Sequence, residues 1–116
     1  MGRLTTHVLD TSSGTPAAGI LIEVFAVGGS SQPLAGTRTD PDGRCSKPLL
    51  EGSDLAAGEY ELVFHAGDYF RSRSALHQGG DFLDRVVVRF RVSAADEHYH
   101  VPLLLAPYGY TTYRGS

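Results

Sequence analysis

Histidine exchanges protons at neutral pH because its unperturbed pKa lies near 6.5, and this chain carries five: His7, His65, His77, His98 and His100. Taken singly, a histidine is more often a surface or hydrogen-bonded residue than a catalyst. His98 and His100 are two apart, so on a strand they share one face. Arg44 follows the turn sequence Asp40-Pro41-Asp42-Gly43. A guanidinium there stays charged and offers several donors to a carbonyl or an anionic intermediate, though alone it reads as an ordinary solvated arginine. The last four residues, Tyr113-Arg114-Gly115-Ser116, bring a phenol, a guanidinium, a hydroxyl and the terminal carboxylate together. Edge-strand packing and a solvated end are the plain alternative, but an apolar run followed by alternating tyrosines and threonines has the composition of paired β-strand, so the end is expected to be enclosed. As a set, these groups suit proton transfer beside a cation that holds developing negative charge. They are scattered in sequence, so only a fold can assemble them.

The elements that would position them are short. Runs of β-branched and aromatic residues alternate with Gly, Pro, Asp and Ser clusters, the pattern of an all-β sandwich. Strands are expected near 4–9, 20–27, 34–39, 45–50, 59–66, 85–92, 98–105 and 109–114. The clearest is 85–92, where Val86, Val88, Phe90 and Val92 alternate with Arg85, Val87, Arg89 and Arg91, giving a buried face and a mostly basic one. Segment 20–27 is apolar on both faces except at Glu23, which fits a central strand or one covered by another subunit. The turn at residues 40–43 delivers Arg44 to the start of the strand expected at 45–50. One helix is expected from residue 69 to about 77, capped by Asp68 and ended by Gly79-Gly80.

The 116 residues fit one domain, 1–116. A net charge of −3 exerts no long-range pull on nucleic acid or anionic membrane. No apolar run approaches the roughly 20 residues of a membrane span. The start of the chain lacks the basic and apolar regions of a secretory signal, so a cytoplasmic location is the expectation. A single cysteine, Cys45, forms no internal disulfide and suits a reducing compartment.

With Leu4-Thr5-Thr6-His7-Val8-Leu9-Asp10, Asp42-Gly43-Arg44, Tyr99-His100-Val101-Pro102-Leu103-Leu104 and the Tyr113-Arg114-Gly115-Ser116 ending, the sequence resembles the 5-hydroxyisourate hydrolases over nearly its whole length. These are the enzymatic branch of the transthyretin-like family, and the terminal tetrapeptide separates them from the hormone carriers. The resemblance implies a transthyretin-like (prealbumin-like), eight-stranded two-sheet sandwich with one short helix. It implies hydrolysis of 5-hydroxyisourate to 2-oxo-4-hydroxy-4-carboxy-5-ureidoimidazoline in urate catabolism, without metal or cofactor. The site residues it implies are His7, Arg44, His100 and Tyr113 for catalysis, with His7, Arg44, Tyr113, Arg114, Gly115 and Ser116 binding the substrate. Arg114 could equally anchor the terminus. His100 is chosen over His98 because the family histidine immediately precedes the Val-Pro-Leu-Leu run; His65 and His77 are read as structural or exposed. The assembly implied is a homotetramer, a dimer of dimers with active sites in a channel between dimers, which the apolar stretch 103–110 would suit.

The rival readings carry less support. Cys45 as nucleophile would share a strand with Arg44 but point to the other face. His98 and His100 as metal ligands lack a third ligand at a diagnostic spacing. A carrier or a plain interaction module leaves the histidines, the arginine and the terminal tetrapeptide without a purpose.

Overall fold

The computed structural model describes residues 1–73 and 82–116. His77 and the Gly79-Gly80 helix stop lie outside the described residues. In chain order the elements are β1 (Arg3–Asp10), β2 (Thr15–Pro16), β3 (Leu21–Ala26), β4 (Ala35–Arg38), β5 (Leu50–Glu51), a 3₁₀ turn (Gly52–Asp54), β6 (Gly58–His65), α1 (Ala66–Arg71), β7 (Arg85–Val92), β8 (His98–Ala106) and β9 (Gly109–Thr112). They form two sheets. One runs β2-β1-β8-β9, with β5 also on β1; the other runs β4-β3-β6-β7.

Alternation drives this arrangement. In β1 the residues Leu4, Thr6, Val8 and Asp10 are buried while Arg3, Thr5, His7 and Leu9 face outward. In β6, Tyr60, Leu62 and Phe64 point inward and Glu61 and Val63 outward. The inner faces close on one core that includes Leu4, Ile22, Leu62, Phe64, Leu103 and Leu105. β3 is central, between β4 and β6, as its two-sided apolar pattern requires. Its outer Glu23 accepts a hydrogen bond from His65 Nε2 at 2.7 Å, which gives that buried histidine a structural partner.

β1 and β8 run parallel, pairing Arg3 with His98, Thr5 with His100 and His7 with Pro102. Their outer faces therefore present Arg3, Thr5 and His7 beside His98 and His100. The other flank of β1 is covered piecemeal: β2 pairs at Leu9 and Asp10, Arg44 bridges His7, and β5 pairs at Arg3 and Leu4.

Two expected elements form differently. The strand expected at 45–50 is reduced to Leu50–Glu51. Pro48 has no N–H for a ladder, so the chain bows away from β1 between the Arg44 bridge and the hydrogen bond from Leu49 N to Leu4 O. The helix starts at Ala66, immediately after β6, and not at residue 69. Asp68 is consequently in its first turn and not at its cap, and the Arg71 guanidinium donates to it at 2.7 Å. Burial of Ala66, Gly67, Tyr69 and Phe70 explains the early start, because these residues cover the core.

Candidate active site

The turn before Arg44 is built by one carboxylate. Asp40 Oδ1 accepts from the backbone N–H of Asp42 at 2.9 Å and of Arg44 at 3.1 Å. Gly43 has φ +76°, and a Cβ there would collide with the Val8 carbonyl oxygen; only glycine allows the turn to seat against β1. The Val8 N–H then donates to the Gly43 carbonyl at 2.8 Å, and Arg44 bridges His7. The exposed Arg44 side chain is thus anchored by a rigid backbone.

His7 Nε2 lies 2.9 Å from the Asp42 carbonyl oxygen. A carbonyl only accepts, so Nε2 carries the hydrogen and neutral His7 keeps its lone pair on Nδ1. His100 Nδ1 lies 2.8 Å from Thr5 Oγ1, and His98 Nε2 is also 2.8 Å from the same oxygen. The nitrogen of His100 left for a ligand is Nε2. Burial foremost, and then the positive charge of Arg44 and of His98 and His7 when these are protonated, hold His100 below the ordinary histidine pKa.

The C-terminus returns to this place. Beyond β9 the Gly115 N–H donates to the His100 carbonyl at 2.8 Å, and a Cβ on Gly115 would sit 2.6 Å from His100 Cδ2. That close approach carries Ser116 into a hollow of about 350 Å³ whose walls include Arg3, Thr5, Arg44, Lys47, His98 and His100. The bowed segment Cys45-Ser46-Lys47-Pro48 forms one side of it. Three cationic side chains on its lining suit a ligand rich in carbonyl oxygens or negative charge.

Of the residues expected from sequence, Arg44, His100 and Ser116 line this hollow; Gly115 packs on His100, and His7 is bridged to Arg44 beside it. Tyr113 and Arg114 do not line it. Tyr113 is 58 % exposed and lines a second hollow, of about 320 Å³, with Val88, Phe90, Tyr99 and Arg114. Arg114 donates to Glu97 Oε1 at 3.1 Å and to the His98 carbonyl at 3.2 Å. Its guanidinium stacks 4.2 Å from the Tyr99 ring centroid, the geometry of an anchor for the start of β8. The residue type of Thr5 carries no functional signal; its place two residues before His7 on one strand face is the signal available.

Cys45 lines the hollow together with Arg44, contrary to the opposite faces expected of strand neighbours, because no strand forms there. Burial pushes its thiol pKa up to about 11, which removes the thiolate needed for nucleophilic attack. Among the described residues no group of three or more His, Cys, Asp or Glu side chains is placed to hold a metal ion. None of the helices described is long and apolar enough to cross a membrane.

Known proteins share this sequence and this fold. The chain is 56% identical over 117 residues to the 5-hydroxyisourate hydrolase of Pseudomonas aeruginosa, covering 100% of this chain and 93% of that one. The solved structure of Klebsiella pneumoniae 5-hydroxyisourate hydrolase superposes with a TM-score of 0.82 at 34% identity, with all of both chains covered. A crystal structure of (S)-allantoin synthase superposes with a TM-score of 0.90 at 39% identity over 99% of this chain, which spans only 44% of that longer one. Residues 4–115 match the HIUase/Transthyretin family, and the chain belongs to that family.

Proposed function

We propose that this chain hydrolyses 5-hydroxyisourate, opening a ring amide to give 2-oxo-4-hydroxy-4-carboxy-5-ureidoimidazoline in urate breakdown. The observation that carries the reading is the convergence of Arg44, His100 and Ser116 on one cationic hollow, with His7 paired to Arg44 beside it. The relatives named as 5-hydroxyisourate hydrolases match along the full length of the chain, which supports the same substrate.

Amide hydrolysis needs a base for water, donors for the carbonyl oxygen as it gains charge, and an acid for the departing nitrogen. His7 and His100 share the proton transfers: each imidazole has one nitrogen engaged, on Asp42 O and Thr5 Oγ1 respectively, and the other available. The Arg44 guanidinium stabilises the developing oxyanion. Ser116, delivered by Gly115, holds the ring in place, and Arg114 contributes by fixing β8. The substrate supplies its own reactive carbonyl, and no cofactor or metal enters the scheme.

The active assembly is a homotetramer, a dimer of dimers in which the outer face of β1 and β8 lines an inter-dimer channel. Within one chain Tyr113 does not line the hollow that holds His100, so its part in the reaction requires a second copy to bring it there. The whole chain acts as one hydrolase domain, and its single thiol suits the cytoplasm.

The test is the decay of 5-hydroxyisourate made fresh from urate by a separate oxidase. The protein accelerates the decay, and His7→Asn or His100→Asn lowers turnover by roughly 10²- to 10⁴-fold, the usual worth of a general acid or base. No acceleration by folded protein overturns the enzyme reading. Normal turnover in either variant removes that histidine from the mechanism.

A further inference from the structure

Thr5 Oγ1 stands 2.8 Å from His98 Nε2 and 2.8 Å from His100 Nδ1, and the two ring centroids are 6.2 Å apart. A hydroxyl has one hydrogen to give. Thr5 can therefore donate to only one of these imidazoles. When it does, the other donates to it, and the tautomer of His98 is tied to that of His100. Nothing in the reaction scheme above employs His98.

We infer that His98, Thr5 and His100 form a proton relay in which His98 stores the proton that His100 takes from the attacking water. The inference rests on the hydrolytic reading of the same hollow. At rest His100 Nδ1–H donates to Thr5 Oγ1, Thr5 Oγ1–H donates to His98 Nε2, and His100 Nε2 offers a lone pair to water. As the water oxygen bonds to the amide carbon, its proton moves to His100 Nε2. The Nδ1 proton passes to Thr5 and the Thr5 proton to His98 Nε2. The carbonyl becomes an oxyanion and His98 an imidazolium, so charge balances. When the C–N bond breaks, the carbonyl re-forms and the nitrogen takes the proton of His100 Nε2 by way of the free Nδ1 of His7, so both histidines serve the transfers. The chain then reverses and His98 returns to neutral.

The two histidines differ in the way such a relay needs. His100 is half-buried among cations, where a positive charge is costly. His98 is exposed, so water can solvate the imidazolium. Arg114 binds the His98 carbonyl at 3.2 Å and steadies the strand at this residue. The parallel register of β1 and β8 places Thr5 beside His100 along the sheet. Thr5 and His98 touch no reacting atom in this scheme and are positioning residues.

Four variants of the full chain test the relay: Thr5→Val, Thr5→Ser, His98→Gln and the Thr5→Val/His98→Gln pair. Valine keeps the shape and loses the hydroxyl, and kcat is expected to fall by about 10- to 100-fold with KM changed by less than about twofold. Serine restores the hydroxyl and brings kcat back to within about threefold of the parent. His98→Gln slows turnover like valine, and the double variant is no slower than Thr5→Val alone, because both cut the same chain. Normal kcat in Thr5→Val or His98→Gln, or no rescue by serine, overturns the relay while leaving the hydrolase reading intact if His100→Asn is slow. Imidazole ¹⁵N NMR of the resting protein supplies a readout independent of turnover. One protonated and one bare nitrogen facing Thr5 is the expected result, and two of the same kind overturns the relay even if the hydrolase reading has itself failed.

Discussion

Gly115 shows how little room the site leaves at the level of single residues. Its N–H is fixed to the His100 carbonyl, and the space a Cβ would take is already filled by the His100 ring edge and, at 3.2 Å, by Pro102 Cγ. Gly115→Ala must therefore push either the imidazole or the terminus aside. Because a misplacement of about 1 Å can cost 10²-fold in rate, turnover is expected to fall by at least about tenfold while the melting temperature stays near the parent value. Steady-state kinetics beside a thermal melt checks this, and unchanged turnover would show that the His100–Gly115 contact is slack. His7, His100 and Arg44 were legible in the sequence as motif members. Thr5 was not, because a threonine on a strand face is an ordinary β-former, and only the pairing of β1 with β8 shows what its hydroxyl touches.

At the scale of elements, the long alternating strands were readable and the short flank of β1 was not. Segments 85–92 and 60–64 announce themselves by period two, whereas β2 and β5 are two-residue pairings fixed by contact with β1 and carry no periodic signal. The helix differs from its sequence signal for a related reason: Asp68 looks like a cap, but tertiary burial of Ala66, Gly67, Tyr69 and Phe70 starts the helix earlier. Its Tyr69 completes a buried polar joint with the end of β1. Tyr69 Oη donates to Asp10 Oδ2 at 2.8 Å, and the Ser12 N–H donates to Oδ1 at 2.9 Å. Burial alone would raise the Asp10 pKa, but these hydrogen bonds outweigh it and the pKa is lowered; the Tyr69 phenol is pushed up to about 12. A carboxyl with a lowered folded pKa contributes stability above its unfolded value, and the contribution is lost as pH falls through the folded value. Tyr69→Phe is thus expected to cost about 1–3 kcal/mol at neutral pH, the usual cost of an unmade bond to a buried charge. The cost should shrink in acid, as the pH falls through the lowered folded pKa of Asp10 and the carboxyl becomes protonated in folded and unfolded chains alike. Denaturant titrations at neutral and at acid pH measure it, and a pH-independent difference would mean that packing of the ring, not the charge, holds the joint.

For the whole molecule, the question is how a site spread over one outer sheet face becomes enclosed. The hollow beside His100 is open on its outer side to residues such as Arg44, His98 and Ser116, all exposed in the single chain. Tyr108 and Tyr110 are also exposed, at 66 % and 44 %, next to the strand that carries the histidines. A second copy laid over this face would exclude water, which strengthens every charge interaction in the site, and would bring a Tyr113 from outside. Sequence could state the assembly only through family resemblance, since the surfaces that meet between chains have no periodicity of their own. If Tyr113 acts across the interface, inactive His100→Asn and Tyr113→Phe chains should complement when co-expressed. A His100 from one copy then meets a Tyr113 from the other, and random assembly restores about a quarter of the sites. Light scattering on the same sample should return four times the 12.4 kDa of one chain. Complementation with a tetrameric mass supports a shared site. A tetramer that fails to complement confines the chemistry to one chain and leaves Tyr113 as a packing residue of the second hollow.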